Sequence, residues 1–166
     1  MWRSLFEAVR DAIPPPAVVA LLSAAPISEV RGGIPAGLLL DMPLAEILPI
    51  AIIANVVIVI PVLLWFNPLA DWLIERGILT GIIRRLIARA RSKKPMVDKY
   101  GVFAVTLFVA IPLPVTGAWT GALVASVFKM DFWRALACML LGVIIASIIV
   151  TLLYLGGVWV CDTAAA

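Results

Sequence analysis

The chain has 166 residues, of which 64% are hydrophobic and 14% charged, with a formal net charge of +3 and a mean hydropathy of +1.14. A soluble domain is about half apolar and about one quarter charged, so this composition excludes a soluble enzyme, a disordered chain and a disulfide scaffold. It predicts an integral membrane protein. The absence of histidine removes the commonest ligand and general base of zinc and triad chemistry.

The first apolar run is interrupted too early to cross a membrane. Its helical part, Ala17–Ala25, is about 14 Å long at 1.5 Å per residue, which is half of a bilayer. The segment that follows, Ile27–Pro35, contains a glutamate, an arginine, two glycines and a proline. These residues do not suit a helix that faces lipid, so we expect the tip of a re-entrant hairpin, with Ala36–Leu40 as its returning arm.

Two later segments are long enough to span the membrane. Ile47–Ala70 and Ala135–Val160 contain 24 and 26 residues without a charge, and a spanning helix needs about 20. Helix-start signals precede both runs, namely Asp41 with Pro43 and Asp131. We therefore predict spanning helices over Leu44–Phe66 and Phe132–Trp159.

Residues 101–128 repeat the layout of the first hairpin. Two apolar pieces, Val102–Ile111 and Ala118–Phe128, flank the proline-rich break Ile111–Gly117. This order predicts a second re-entrant hairpin. The alternative is one proline-kinked spanning helix of 28 residues.

The chain is therefore predicted to be one all-α membrane domain, residues 1–166, built as an inverted repeat of a re-entrant hairpin plus one spanning helix. The repeats cover about 14–66 and 101–160, and a basic amphipathic linker helix, 67–100, joins them. Ten basic residues fall on the linker side and two on the other. This imbalance predicts a cytoplasmic linker and outward termini.

The linker also shows helical amphipathicity. Its apolar positions share one face: Leu79, Ile82, Ile83, Leu86 and Ile87. A helix of this kind, with arginines elsewhere, is typical of a segment that lies on anionic lipid. A nucleic-acid or regulatory partner is the less favoured alternative.

Glu29 and Arg31 are the strongest candidates for a functional site. A charged residue inside a membrane is expensive and is a functional hypothesis by default. Since burial disfavours the charged form of a carboxyl group, Glu29 is predicted to take up and release a proton. Arg31 would stabilise the ionised Glu29 or hold an anionic headgroup. The alternative is a structural ion pair that fixes the loop.

The residues around these two extend the predicted site. Gly32, Gly33 and Pro35 are expected at the start of the returning helix, where free backbone N–H groups favour anions. The second tip offers four candidates: Pro112, Pro114, Thr116 and Thr120. Thr116 contacts substrate in this interpretation and caps the returning helix in the alternative.

Three further features concern helix packing. Gly33-x-x-x-Gly37 and Gly117-x-x-x-Gly121 permit close helix contact, which predicts packing of the two hairpins or a homo-oligomer interface. Asn55, in the middle of the first spanning helix, is expected to hydrogen-bond a neighbouring helix, with a substrate contact as the alternative. The motifs of hydrolases, metalloproteases and phosphate loops are missing, so no catalytic residue, metal or cofactor is predicted.

Four features follow one another in the sequence. They are the segment Pro26-Ile-Ser-Glu29-Val-Arg31-Gly-Gly-Ile-Pro35-Ala-Gly37, a long helix, a basic linker and the segment Ile111-Pro112-Leu-Pro114-x-x-Gly117. In these features the chain resembles the small multidrug export family. Members of that family are prokaryotic membrane proteins, so the resemblance implies a prokaryotic plasma membrane for this chain. The family is in turn similar to the DedA superfamily. The DedA resemblance implies facing re-entrant hairpins and a proton-coupled role in lipid transport. It matches Glu29 to an acidic hairpin position, and Pro112 and Pro114 to a proline-rich tip. The arginines of the second DedA hairpin are replaced here by Thr116 and Thr120.

These observations predict a transporter that moves an amphipathic anionic lipid-like substrate by proton coupling. The predicted partners are membrane lipids, a phosphate-bearing or amphipathic substrate and further copies of the chain, but no nucleic acid. Export of small amphipathic compounds is the first alternative. A membrane scaffold that transports nothing is the second.

Overall fold

The computed structural model describes residues 13–78, 80–92, 100, 103–111 and 117–165, with side chains as far as residue 157. Every regular element in these ranges is an α-helix, which confirms the predicted all-α class. The helices in chain order are α1 (Pro15–Ala24), α2 (Glu29–Leu39), α3 (Leu44–Glu75), α4 (Thr80–Arg91), α5 (Phe103–Ala110), α6 (Ala118–Val127) and α7 (Phe132–Ala165).

Two helices are long and apolar enough to cross a membrane. Among the described residues they are α3, with 32 residues, and the 26-residue segment Phe132–Gly157 of α7. The most apolar 18-residue stretch of each has a mean hydropathy of 2.9. Both begin at the predicted residues. Helix α3 continues to Glu75 instead of ending at Phe66, and its length of about 48 Å exceeds the roughly 30 Å hydrocarbon layer.

The first hairpin differs from its prediction at the tip. Helix α1 ends at Ala24, and α2 already begins at Glu29, so the turn consists of residues 25–28. The predicted loop over Ile27–Pro35 is therefore wrong. Pro35 lies inside α2, where it cannot donate the i→i−4 hydrogen bond. Glycine and proline are tolerated in such helices because tertiary packing compensates for their weak helix propensity.

The second hairpin consists of two short helices, α5 and α6. A Cβ atom added to Gly121 of α6 would lie 2.6 Å from Val109 Cγ2 of α5. Twelve residues along one continuous helix would separate these positions by about 18 Å. The alternative of a single spanning helix over 101–128 is therefore inconsistent with the contact.

The chain forms two compact units. One contains the residues up to Asn55 and from Ile145 onward, and the other runs from Val56 to Ile144. Each hairpin lies within one unit and leads into a long helix through the same kind of helix end. Asp41 and Lys129 have φ of 58° and 52°. Met42 N donates to Gly37 O, and Met130 N donates to Ala125 O, both at 3.0 Å, as in a Schellman motif.

Candidate functional site

Glu29 is a buried acid with an unusual backbone. Its residue exposure is 6%, and its φ of 50° lies in the left-handed region. A residue other than glycine costs of order 1–3 kcal/mol there, and such residues cluster at functional sites. Glu29 is also the first residue of α2, and its N–H donates to Ala25 O at 3.0 Å. The predicted site residue thus lies buried at the turn of the first hairpin.

The end of α1 is capped by side chains from elsewhere in the same unit. The last carbonyls of a helix lack intrahelical donors, and leaving them bare in apolar surroundings is costly. Leu22 O accepts from the Ser28 hydroxyl, and Ser23 O accepts from Asn55 Nδ2 at 2.9 Å. The predicted bond from Asn55 to a neighbouring helix is confirmed. These bonds fasten the turn that carries Glu29 to α3.

Two further polar atoms remain beside this cap. Ser23 and Asn55 are both 0% exposed, and among the described residues neither Ser23 Oγ nor Asn55 Oδ1 has a hydrogen-bond partner. Buried polar atoms of this kind are rare in native structures and call for an explanation. They leave hydrogen-bonding capacity inside the first unit, close to the turn of its hairpin.

Sequence reasoning missed Ser23. A single serine in an apolar helix carries no local signal, and its partner Asn55 lies 32 positions away. The signal that could have found it is Gly33. A Cβ atom there would lie 1.9 Å from Ser23 Oγ and 3.0 Å from Val19 O, so only glycine lets α2 approach α1 this closely.

The other first-hairpin candidates all lie in α2. Arg31 is half-buried, as are Gly32 and Pro35. A Cβ at Gly37 would lie 2.7 Å from Ile47 Cγ1 of α3. Gly33 and Gly37 therefore serve contacts inside the first unit. The expectation that Pro35 opens the returning helix is wrong, because six residues of α2 precede it.

The second hairpin is described in part. Pro112, Pro114 and Thr116 lie outside the described residues, while Thr120 is half-buried in α6. Gly117 has φ of 141° directly before α6, a conformation open to glycine alone. The predicted substrate role of these residues stays a prediction.

Hydrogen bonds that the sequence analysis did not predict hold α6 and α5 to the long helices of the second unit. Asn67 Nδ2 of α3 donates to Ser126 O at 2.7 Å, and Ser126 Oγ donates to Val62 O at 3.2 Å. Thr106 Oγ1 of α5 donates to Cys138 O of α7 at 3.0 Å. As in the first unit, polar groups of the short helices form hydrogen bonds with a long helix.

The comparison with known protein families gives one match. A family model described as "Putative small multi-drug export protein" matches residues 29–149, which is most of the chain. The chain belongs to this family. The match begins at Glu29, the buried acid of the candidate site. No curated protein and no solved structure matches. The resemblance to the small multidrug export family that the sequence predicts is confirmed. The relationship to the DedA superfamily stays a prediction.

We expect Asn55→Leu to destabilise the protein by about 1–3 kcal/mol. The Ser23 carbonyl at the end of α1 would lose its donor in surroundings without water. Thermal unfolding in detergent, followed by circular dichroism, measures the change. Thr151→Val is the matched control, because the Thr151 hydroxyl donates to Ser147 O on its own helix. Equal, small effects of both substitutions would contradict the capping role of Asn55.

Proposed function

We propose that the protein exports small amphipathic compounds across the membrane, with Glu29 as the group that exchanges a proton for the substrate. The observation that carries this proposal is a buried glutamate, with a residue exposure of 6%, at the turn between α1 and α2. The description of the family supports the same class of substrate.

The exchange follows from the electrostatics of a buried carboxylate. An ionised carboxylate inside a membrane needs a compensating positive charge. A proton and the cationic head of an amphipathic compound both satisfy this need, but not at the same time. Binding of one therefore promotes release of the other, which couples the two movements. The fixed turn between α1 and α2 keeps the carboxyl group in place during the exchange.

In this proposal the two hairpins are re-entrant and the repeat is inverted, with the α4 side in the cytoplasm of a prokaryotic cell. Support comes from the same element order in both halves: two short helices, a Schellman motif and a long helix. The ten basic residues on the linker side support the orientation. Short helices that end inside the membrane are a common way to build a transport site.

Reconstituted vesicles test the proposal directly. The protein is placed in liposomes, a pH gradient is imposed, and uptake of a fluorescent amphipathic cation is measured next to protein-free vesicles. We expect uptake that collapses when an ionophore dissipates the gradient. Uptake without gradient dependence would contradict proton exchange, and no uptake by a folded sample would contradict export.

A second candidate is movement of an anionic lipid-like substrate. Arg31 favours it, because a half-buried guanidinium two residues from Glu29 suits a phosphate group. The same vesicles, with a fluorescent anionic lipid and a reductant that quenches only the outer leaflet, measure this activity. Lipid movement without dye uptake would replace the first proposal by this one. If a folded sample moves neither, the scaffold alternative applies.

A further inference from the structure

Only half of the apolar face of α4 is covered by the rest of the protein. It packs on α6 within the second unit, and Ile83 and Ala90 are buried at 6% and 0% exposure. The adjoining stripe, Ile82 and Leu86, is 54% and 37% exposed. One half of the apolar face thus packs within the second unit, and the other half faces away from the protein.

The four arginines of α4 fall into two different positions around the helix. At 3.6 residues per turn, Arg85 and Arg89 form a stripe roughly 60° from Ile82 and Leu86. Arg84 and Arg91 lie on the opposite side of the helix, roughly 170° from the same apolar stripe. All four are exposed, and the helix carries no acidic residue.

We infer that α4 lies in the headgroup layer and binds anionic phospholipids through Arg85 and Arg89. Ile82 and Leu86 enter the boundary of the acyl chains, which is how an amphipathic helix gains affinity for a bilayer. The two guanidinium groups stand one turn apart, where like charges repel. A lipid phosphate between them removes this repulsion and accepts bidentate hydrogen bonds.

The C-terminal end of α3 also carries residues that are typical of the headgroup layer. Trp65 and Trp72 are 62% and 45% exposed, and the Arg76 guanidinium lies 4.4 Å from the centre of the Trp72 ring. Exposed tryptophans with nearby arginines are typical of the membrane–water interface. A nucleic acid or an acidic protein would engage all exposed arginines and would leave Ile82 and Leu86 without a role.

Matched double variants test the inference. Full-length protein in mixed phosphatidylglycerol and phosphatidylcholine micelles is released into a native mass spectrometer, and the ratio of the two retained lipids is measured. Arg85→Gln with Arg89→Gln is expected to lower the preference for phosphatidylglycerol at least about fivefold. Arg84→Gln with Arg91→Gln removes the same charge and is expected to retain most of the wild-type preference.

Two outcomes overturn the inference. Equal losses in both double variants would show general attraction by charge, without a site beside the apolar stripe. No loss in either would show that α4 does not select anionic lipid. Because all four side chains are exposed, unchanged thermal unfolding is expected for both variants and controls for folding. The result is independent of transport, since neither Glu29 nor the first hairpin is altered.

Discussion

Glu29→Gln is expected to reduce gradient-driven transport to the level of protein-free vesicles while leaving the protein folded. Glutamine has nearly the same shape, and it retains the backbone φ of 50°, so the substitution changes only the ionisable group. The amide keeps hydrogen-bonding capacity at the same position, so the unfolding temperature is expected to change by no more than roughly 2–4 °C, which corresponds to about 1 kcal/mol.

The control for this substitution is Glu46→Gln. Glu46 lies in the first turn of α3 and is exposed to its surroundings, so its charge is expected to affect neither transport nor stability strongly. Three results distinguish the interpretations of Glu29. Lost transport with retained stability supports proton exchange. A marked fall in stability supports the structural ion pair with Arg31. Wild-type transport in a folded variant refutes the exchange mechanism.

The long helices were predictable because they depend on one property of the sequence. A run of more than 20 apolar residues has no favourable conformation in a membrane other than a helix. The starts of α3 and α7 at Leu44 and Phe132 agree with the local signals that precede them. The end of α3 was missed, because Asn67-Pro68 directly after Phe66 is a local stop signal. The helix nevertheless continues through Pro68 to Glu75.

The extent of α2 was not predictable from local sequence. Gly32, Gly33 and Pro35 all have low helix propensity, and together they favour a loop. They are helical because of tertiary packing. Gly33 has a low helix propensity by itself, but it permits the close contact between α2 and α1. Ser23 was missed for the same reason. Its significance comes from Asn55 and Gly33, which are distant in sequence.

For the linker helix, the sequence predicted the apolar face but not the partner that covers it. Hydrophobic periodicity identified the apolar face of α4, because one helix has one regular repeat. Periodicity does not say which partner covers that face. In the structure Ile83 packs inside the second unit while Ile82 is exposed. This division is a property of the packing with α6, and it decides which arginines border a lipid-facing stripe.

Gly33→Ala is expected to destabilise the first hairpin by about 1–3 kcal/mol, the usual effect of overpacking. Alanine has the better helix propensity by about 0.5–1 kcal/mol, so propensity alone predicts the opposite sign. The added Cβ would meet Ser23 Oγ at 1.9 Å and Val19 O at 3.0 Å. The hydroxyl can rotate away, but the carbonyl belongs to the backbone of α1, so α2 must shift outward.

Thermal unfolding of a double-variant set separates the two contacts. Ser23→Ala removes the hydroxyl but leaves Val19 O in place, so adding it to Gly33→Ala is expected to recover part of the lost stability. The coupling between contacting residues is typically about 0.5–3 kcal/mol. Gly81→Ala is the control, because no described atom outside its own helix backbone and chain neighbours lies within 4 Å of its added Cβ, and it should be neutral or stabilising. If Gly33→Ala behaved like this control, α2 would not pack on α1 through Gly33, and the buried position of Glu29 at the turn would lose its support.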